Sequence, residues 1–250
     1  MKINLKNKNI IITGASSGLG RELSCRLDKM GCKISLIGRN KKRLEQTFDM
    51  MKNKKNHTKF LIDFSNTKNI KKYYKKIFNN EKYDGFVNCA GYYSFGPLQS
   101  LNENEIIKSF NVNSIAPFLL IKEFSKTNNY NINASIILVS SVAASTGSSF
   151  LTLYSSTKSV QNTISMSFAS ELSKKKIRIN SISASMLESE IYNNLKSLLP
   201  NENFDDLNKK HLLGIGKYEY LIDSIVFYLS DKTKWITGTN VVCDGGYSLK

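Results

Sequence analysis

The sequence predicts an α/β fold: a single doubly wound domain with a seven-stranded parallel sheet and helices on both faces. Short runs of β-branched apolar residues alternate with longer amphipathic segments along the chain, and this alternation is typical of a parallel sheet covered by helices. A length of 250 residues suits one α/β domain with a substantial core. The sequence shows no internal repeat and no linker, so we expect residues 1–250 to form one domain.

The first predicted strand, residues 9–13, reads Asn-Ile-Ile-Ile-Thr and is typical of a buried parallel strand. The other six strands are predicted at residues 33–37, 59–63, 85–88, 135–140, 178–182 and 240–243. Helices are predicted at residues 18–30, 41–51, 68–78, 103–127, 153–172 and 218–229. Residues 186–213 form the least regular stretch, which we interpret as a mobile lid or, alternatively, as an ordinary surface excursion.

A glycine-rich turn joins the first strand to the first helix, with the spacing G-x-x-x-G-x-G. Such a turn presents free backbone N–H groups and a helix dipole to a phosphate, and its glycines let a pyrophosphate approach the backbone. Because a strand precedes it and a helix follows it, nucleotide binding is favoured over a simple turn. The residues expected to bind are Gly14, Ser16, Ser17, Gly18, Leu19 and Gly20.

The exit of the second strand indicates which nucleotide is bound. A carboxylate there would bind the ribose 2′-hydroxyl of NAD(H) and repel a 2′-phosphate, but this chain has Gly38-Arg39-Asn40. Arg39 offers a planar fork to a phosphate, and Lys42 and Arg43 add to the positive field. The sequence therefore predicts NADP(H) rather than NAD(H); the alternative is that Arg39 only faces solvent.

Tyr154 and Lys158 lie four residues apart in a predicted helix, with Ser141 upstream at the end of a predicted strand. Residues at this spacing share one helix face. A nearby ammonium favours phenolate, which predicts a Tyr154 pKa below its usual value of about 10 and proton exchange near neutral pH. Taken alone, the pair is a weak signal, because a half-buried tyrosine beside a solvated lysine is the more common cause of this spacing.

These motifs occur in the order and approximate spacing of the short-chain dehydrogenase/reductases, which the whole chain resembles. The residues that carry the resemblance are Thr13, Gly14, Gly18, Gly20, Asn88, Cys89, Ala90, Gly91, Asn113, Ser141, Tyr154 and Lys158, together with residues 235–246 at the last strand. The resemblance, which includes the 3-oxoacyl-carrier-protein reductases, implies a Rossmann-type fold. It also implies hydride transfer between a nicotinamide and a carbonyl or alcohol carbon.

The resemblance assigns catalytic roles to four residues. Tyr154 would exchange a proton with the substrate oxygen, and Ser141 would hydrogen-bond that oxygen. Lys158 would lower the Tyr154 pKa and bind the nicotinamide ribose. Asn113 would hold a water that connects Lys158 to solvent. The alternatives are Asn111 for Asn113 and Ser140 for Ser141.

The resemblance also assigns cofactor contacts and shows one departure from the family. Asp63 is similar to the adenine contact, and Asn88, Ala90 and Gly91 lie in the segment expected along the adenine ribose. After the sixth strand the family usually has Pro-Gly and then a threonine, whereas this chain has Ala184-Ser185, and Ser189 supplies the later hydroxyl. Losing Pro-Gly predicts a looser turn and brings the Ser185 side chain close to the nicotinamide.

The chain is strongly basic, with 36 Lys and Arg against 20 Asp and Glu and a formal net charge of +16. Such a surface attracts nucleic acid, anionic membranes or an acidic acyl-carrier protein. The lysines are scattered among asparagines, which favours solvated helix faces, and no zinc-finger spacing or aromatic–basic platform supports nucleic-acid binding. We therefore expect a small-molecule carbonyl or alcohol substrate, either free or attached to such a carrier.

Other features bear on location and assembly. The sequence has no run of about 20 apolar residues and no secretory signal at its start, so no membrane span is predicted. Its four cysteines form no C-x-x-C pair and no metal cluster, as in a cytoplasmic protein with reduced, mostly buried thiols. Relatives pair through the two long helices and the last helix and strand, which implies a homodimer or homotetramer. A catalytically weak NADP(H)-binding sensor or scaffold is the alternative function.

Overall fold

A seven-stranded sheet, parallel throughout, forms the centre of the protein. The computed structural model describes residues 3–67, 70–79, 81–198 and 200–249. The strand order is β3-β2-β1-β4-β5-β6-β7, with β1 (Asn9–Thr13), β2 (Lys33–Gly38), β3 (His57–Leu61), β4 (Tyr83–Asn88), β5 (Tyr130–Ser141), β6 (Arg178–Ala184) and β7 (Asn240–Cys243). The order reverses between β1 and β4, so the carboxyl ends of these two strands face a common crevice.

Helices cover both faces of the sheet. They are α1 (Gly18–Lys29), α2 (Lys41–Met50), α3 (Ile70–Ile77), α4 (Glu103–Phe110), α5 (Ala116–Phe124), α6 (Ala143–Thr146), α7 (Thr152–Ser173), α8 (Glu190–Leu198), α9 (Asn201–Lys209) and α10 (Tyr218–Leu229). One hydrophobic core packs α3, α5 and α7 against the sheet, and a second core packs α1, α2 and α10 against the opposite face. The predicted doubly wound, Rossmann-type α/β fold is confirmed.

The apolar run in β1 shows why the strands form a central sheet. Ile10 and Ile12 are buried in one core and Ile11 in the other, because successive side chains of a strand point to opposite faces. A strand buried on both faces needs a continuous apolar run instead of an alternating one. The same rule explains why these strands are recognisable in the sequence.

Most predicted elements differ by a few residues from their bounds in the structure, and two of these differences affect the site. β3 ends at Leu61, so Asp63 lies two residues beyond the strand and not within it. The predicted helix at 103–127 ends at Phe124 and is interrupted by one π-helical turn, Asn111–Ile115. Pro117 has no N–H to donate to the Asn113 carbonyl, which instead accepts a hydrogen bond from Gln161 Nε2 at 2.8 Å.

The predicted irregular stretch and one predicted helix need correction. The prediction for 186–213 is wrong in that this stretch contains α8 and α9, whose rings Tyr192 and Phe204 pack with centroids 5.0 Å apart. Each helix buries only one residue, Leu195 or Phe204, which leaves a weak periodic signal in the sequence. The start of the helix predicted at 68–78 lies outside the described residues; its described part is α3.

The end of α7 gives a stability prediction. Lys176 is exposed and has φ of +57°, and the Lys176 and Ile177 N–H groups donate to the Ser173 and Leu172 carbonyls, as in a Schellman motif. Because glycine adopts this conformation without strain, Lys176→Gly should raise the free energy of unfolding by about 1 kcal/mol. Chemical denaturation measures the change. Lys175→Gly, at a neighbouring exposed residue without positive φ, should not stabilise; equal stabilisation by both would contradict the explanation.

Candidate active site

One cavity of about 410 Å³ opens where the carboxyl ends of the strands meet. Fourteen of the predicted site residues line it: Gly14, Ser16, Ser17, Gly18, Leu19, Gly20, Arg39, Asp63, Ala90, Gly91, Ser141, Tyr154, Lys158 and Ser189. They come from the loops that follow β1, β2, β3, β4 and β6, from the end of β5, and from α1 and α7. The two predicted residues outside the lining, Asn88 and Asn113, are both buried behind it.

The glycine-rich loop passes very close to the loop after β4. Gly14 has φ of +68°, and a Cβ on it would lie 2.7 Å from Ala90 N. A Cβ on Gly20 would collide with the Gly14 carbonyl oxygen. Ser17, the N-cap of α1, makes no side-chain capping bond, so the first N–H groups of the helix are left for another acceptor. These features fit a dinucleotide pyrophosphate at this end of the cavity.

Thr13 and Asn88 join the ends of β1 and β4. The Thr13 hydroxyl donates to Asn88 Oδ1 at 2.7 Å and accepts from Ala90 N at 3.1 Å. Asn88 is 1% exposed, so the side chain expected along the adenine ribose lies behind the cavity wall and holds two strands together. Arg21 also fixes the glycine-rich loop, since its Nη2 donates to the Ser16 carbonyl at 2.7 Å. This contact was not predicted from the sequence.

Asn113 connects the loop after β4 to α7. Its Oδ1 accepts from Tyr92 N at 2.7 Å, and its Nδ2 donates to the Tyr92 carbonyl and to Thr157 Oγ1, each at 2.9 Å. A Cβ on Gly91 would lie 3.7 Å from Asn113 Oδ1 and 3.6 Å from Lys158 Nζ, so both groups converge on this glycine. Both amide hydrogens are used, and Oδ1 keeps one lone pair for a further donor.

Asn111, the alternative to Asn113, points elsewhere. Its Nδ2 donates to the Ser65 carbonyl at 2.8 Å, in the loop after β3. Ser140, the alternative to Ser141, is buried, and its hydroxyl donates to the Lys158 carbonyl at 3.1 Å. Ser140 also lines the cavity, but its hydrogen is committed to a backbone carbonyl, and Asn113 lies behind the lining beside Gly91.

Ser141, Tyr154 and Lys158 lie together at the other end of the cavity. Ser141 Oγ accepts from Ala143 N at 3.2 Å, which leaves its hydrogen for another acceptor. Lys158 Nζ donates to the Val139 carbonyl at 2.7 Å and lies 5.7 Å from the centre of the Tyr154 ring. A phenol, a hydroxyl and an amine are thus placed in one cavity with the glycine-rich loop.

Comparison with known proteins identifies the family. Residues 8–198 match the family model described as short chain dehydrogenase. The chain belongs to this family. An L-rhamnose 1-dehydrogenase (NADP(+)) of Thermoplasma acidophilum is 29% identical over 249 residues, 98% of this chain and 97% of that protein. A 3-oxoacyl-[acyl-carrier-protein] reductase of Buchnera aphidicola is 27% identical over 251 residues, 98% of each chain.

A solved short-chain dehydrogenase structure agrees in shape. The complex of 4-hydroxyisoleucine dehydrogenase with NADH superimposes with a TM-score of 0.88 and 25% identity, covering 98% of this chain and all of that one. The protein is therefore an oxidoreductase of a family that binds nicotinamide cofactors. Among the described residues, no helix is long and apolar enough to cross a membrane, and no three His, Cys, Asp or Glu side chains could hold a metal ion together.

The protonation of this short-chain dehydrogenase site differs from the expectation. Burial raises the pKa of Tyr154, and the adjacent Tyr93 phenol adds to the rise while the Ser141 hydroxyl opposes it. Burial lowers the pKa of Lys158 from 10.5 to about 8. The expected lowering of the Tyr154 pKa is therefore wrong for the protein alone, because removing the phenol from water outweighs the opposing hydrogen bond with Ser141.

Aromatic rings lead from Tyr154 towards the surface of the protein. Tyr93 contacts Tyr154 edge-on at 5.1 Å, Phe95 stacks on Tyr93 at 6.4 Å, and Phe150 lies 5.7 Å from Phe95. Phe150 has φ of +64°, a costly conformation for a bulky residue. Its carbonyl accepts from Gly96 N at 3.0 Å, which fixes the loop. Tyr93 and Tyr154 of this row line the cavity, and Phe95 and Phe150 continue it towards solvent.

The turn after β6 is braced, which corrects the expectation of a loose turn at Ala184-Ser185. Glu188 N donates to the Gly216 carbonyl at 2.9 Å, and Gly216 N donates to the Met186 carbonyl at 3.2 Å. The Ser185 hydroxyl is hydrogen-bonded to His211. Backbone pairing and one side chain thus hold this turn in the absence of a Pro-Gly pair.

The four cysteines are free thiols, and only Cys32 is fully buried, so the expectation of mostly buried thiols is correct for one of them. Cys89 lines the cavity, and burial raises the pKa of its thiol to about 12. At neutral pH this thiol is protonated and is a poor nucleophile.

The lowered pKa of Lys158 predicts a pH dependence of stability. Between pH 8 and 10.5 the unfolded chain binds more protons at Lys158 than the folded protein, so the destabilisation due to this lysine is full below pH 8 and disappears as the pH rises. Relative to Lys158→Met, wild type should gain about 1 kcal/mol of unfolding free energy per pH unit between pH 8 and 10. Denaturant titrations at several pH values measure this difference. Lys174→Met, at an exposed lysine, should show no such trend; a flat difference for Lys158→Met would refute the prediction.

Proposed function

We propose that this protein is an NADP(H)-dependent oxidoreductase that transfers a hydride between the nicotinamide and a carbonyl or alcohol carbon, with Tyr154 as general acid and base. The observation that carries the proposal is the shared cavity, in which Ser141, Tyr154 and Lys158 lie together with the glycine-rich loop. Bound NADP(H) supplies or accepts the hydride. The protein's own residues bind it, orient the substrate oxygen and move the proton.

Each catalytic residue has a role that its surroundings support. Tyr154, whose raised pKa keeps the phenol protonated, donates a proton to the carbonyl oxygen in reduction. Ser141 has a hydrogen to donate to the same oxygen, because its own oxygen already accepts from Ala143 N. Both residues therefore stabilise the oxyanion as it forms.

Lys158 and Asn113 serve the proton path. With one hydrogen bonded to the Val139 carbonyl, Lys158 Nζ has others for a ribose hydroxyl and for the Tyr154 oxygen. A pKa near 8 lets Lys158 give and recover a proton close to neutral pH. The remaining lone pair of Asn113 Oδ1 accepts from a water that relays protons from Lys158.

NADP(H) rather than NAD(H) is proposed from the end of β2. Arg39 lines the cavity, whereas the neighbouring Arg43 pairs with Glu190 at 3.3 Å. A side chain on Gly38 would crowd Ser16, because its Cβ would lie 3.0 Å from Ser16 Cβ. The Thermoplasma relative is named for NADP(+), which agrees with this choice, while the 4-hydroxyisoleucine dehydrogenase structure contains NADH.

Two substrate classes follow from the relatives. L-Xylulose reductase of Caenorhabditis elegans, 25% identical over 254 residues, and the rhamnose dehydrogenase are named for sugars, whereas the Buchnera relative is named for the 3-oxo group of an acyl chain carried as a thioester. The net charge of +16 suits an acidic acyl-carrier protein as the bearer of such a thioester. A catalytically weak sensor is the second candidate, because Ala184-Ser185 departs from the family pattern at the nicotinamide.

We further propose that residues 1–250 form one integrated domain and that the protein is a cytoplasmic homodimer or homotetramer. Partly exposed apolar side chains on α4, α5 and α7, namely Ile107, Phe118 and Met166, support pairing through these helices. Trp235 and Leu249, 99% and 79% exposed, support a second contact near the last strand. Burial of such patches is a common cause of oligomer formation.

Tyr154→Phe tests the general acid. It should lower kcat by about 100-fold or more because the proton donor is lost, while the Kd for NADPH stays within about twofold of wild type. NADPH oxidation across acyl thioesters, sugars and simple ketones measures turnover, and fluorescence measures binding. Tyr93→Phe is the matched control, since it keeps the ring contact with Tyr154 and should retain turnover. Undiminished turnover in Tyr154→Phe would disprove the mechanism; a wild type that binds NADPH but oxidises none would favour the sensor.

Arg39→Ala tests the cofactor choice. Losing a charge-assisted bond to the 2′-phosphate should raise the KM for NADPH by about 10-fold or more and leave the KM for NADH nearly unchanged. Lys42→Ala, an exposed cation one residue into α2, is the control and should have a smaller effect. An equal rise in the KM for NADPH and for NADH would show that Arg39 does not bind the 2′-phosphate.

A further inference from the structure

Ser185 and His211 form a hydrogen-bonded pair beside the cavity. Ser185 is the first residue after β6 and lines the cavity. Its Oγ lies 2.8 Å from His211 Nε2. His211 follows α9, is 4% exposed and packs against the Tyr247 ring at 4.8 Å. The hydrogen bond therefore connects Ser185 in the cavity wall to the buried imidazole of His211.

The second nitrogen of His211 fixes the direction of this bond. His211 Nδ1 lies 2.9 Å from the Leu207 carbonyl oxygen, which can only accept, so Nδ1 carries a hydrogen. In the neutral ring Nε2 then has no hydrogen and must accept. Ser185 is consequently the donor to His211.

This direction decides what Ser185 offers to a ligand. A serine hydroxyl has one hydrogen and two lone pairs, and the hydrogen is committed to His211. Towards the cavity the oxygen acts as an acceptor. If Ser185 only anchored the turn to His211, its hydrogen would suffice. A ligand in the cavity, in contrast, would contact the Ser185 oxygen.

We propose that Ser185 is a specificity-determining residue that accepts a hydrogen bond from an O–H or N–H donor of the bound ligand, and that His211 is the positioning residue that holds it as an acceptor. The proposal rests on the proposed function and deepens it. Two ligands supply such a donor: a substrate with a hydroxyl next to its carbonyl, or the carboxamide group of the nicotinamide. An unsubstituted ketone has no donor to offer.

Substituting His211 with asparagine or glutamine separates the roles of its two ring nitrogens. His211→Asn keeps a donor in the place of Nδ1 but removes the acceptor at Nε2, so the Ser185 hydrogen is released. His211→Gln places an amide oxygen where Nε2 stands and retains an acceptor for Ser185. Ser185→Ala removes the hydroxyl itself. If the Ser185–His211 bond had only a structural role, each variant would affect substrates with and without a hydroxyl group equally.

The experiment compares kcat/KM for 3-hydroxybutan-2-one and butan-2-one, which differ by one hydroxyl, and measures the Kd for NADPH. With the substrate as donor, Ser185→Ala and His211→Asn should lower the preference for the hydroxy ketone about 3- to 10-fold. The change should lie in KM with kcat retained, and His211→Gln should restore the preference. With the carboxamide as donor, the Kd for NADPH should rise by a similar factor and the ketone preference should stay unchanged.

An unchanged ketone preference together with an unchanged Kd in Ser185→Ala would overturn the proposal, even if thermal stability fell. If wild type reduces neither ketone, the NADPH Kd of Ser185→Ala decides by itself, and an unchanged value again overturns it. Failure of the proposed function looks different, because it would leave wild type and Tyr154→Phe equally inactive on every carbonyl while NADPH binding persisted.

Discussion

The close contact between the ends of β1 and β4 is the constraint on which the site depends. The buried Thr13 hydroxyl bridges Asn88 Oδ1 and Ala90 N, and Gly14 leaves no room for a Cβ beside Ala90. The loop after β4 is in turn fixed by Asn113, whose amide also reaches Thr157 on α7. Hydrogen bonds at Ala90 and at Tyr92 thus attach the loop after β4 to the end of β1 on one side and, through Asn113, to the helix that carries Tyr154 and Lys158 on the other.

Such a network is costly unless its members are paired, because a buried polar group without a partner loses the hydrogen bonds it made to water. Asn113 and Thr157 are fully buried and bond to one another and to the backbone, whereas Gln161 donates through Nε2 to the Asn113 carbonyl and its Oε1 has no partner among the described residues. Pro117 is part of the same arrangement, since its missing N–H frees the carbonyl that Gln161 uses. Lys158 is the member that keeps a destabilising environment, and burial lowers its pKa, as the proposed proton transfer near neutral pH requires.

The sheet and the glycine-rich loop could be predicted because their signals are local: Ile10 to Ile12 mark a strand buried on both faces, and Gly14 to Gly20 mark a turn before a helix. The bonds from Thr13 to Asn88 and from Asn113 to Thr157 join residues 75 and 44 positions apart, and no spacing rule reveals them. The direction of the Tyr154 pKa was wrong because it depends on burial, which the order of residues does not give. α8 and α9 were missed because each buries a single side chain.

The glycine-rich loop and the turn after β6, at opposite ends of the cavity, differ in the side chains that they can accommodate. The reason is steric. At Gly14 an added methyl group meets the backbone of Cys89 and Ala90 after β4, and at Gly20 it meets the backbone of Gly14 itself. At residue 185 a serine is accommodated because His211 is hydrogen-bonded to its hydroxyl and the pairing of Met186 with Gly216 holds the turn. The cofactor end is therefore set by the sheet itself, whereas the substrate end is built from side chains on α9, on the turn after β6 and on the loop of Phe150. Selection among carbonyl substrates is accordingly expected to lie in the second set, which can vary without disturbing the first.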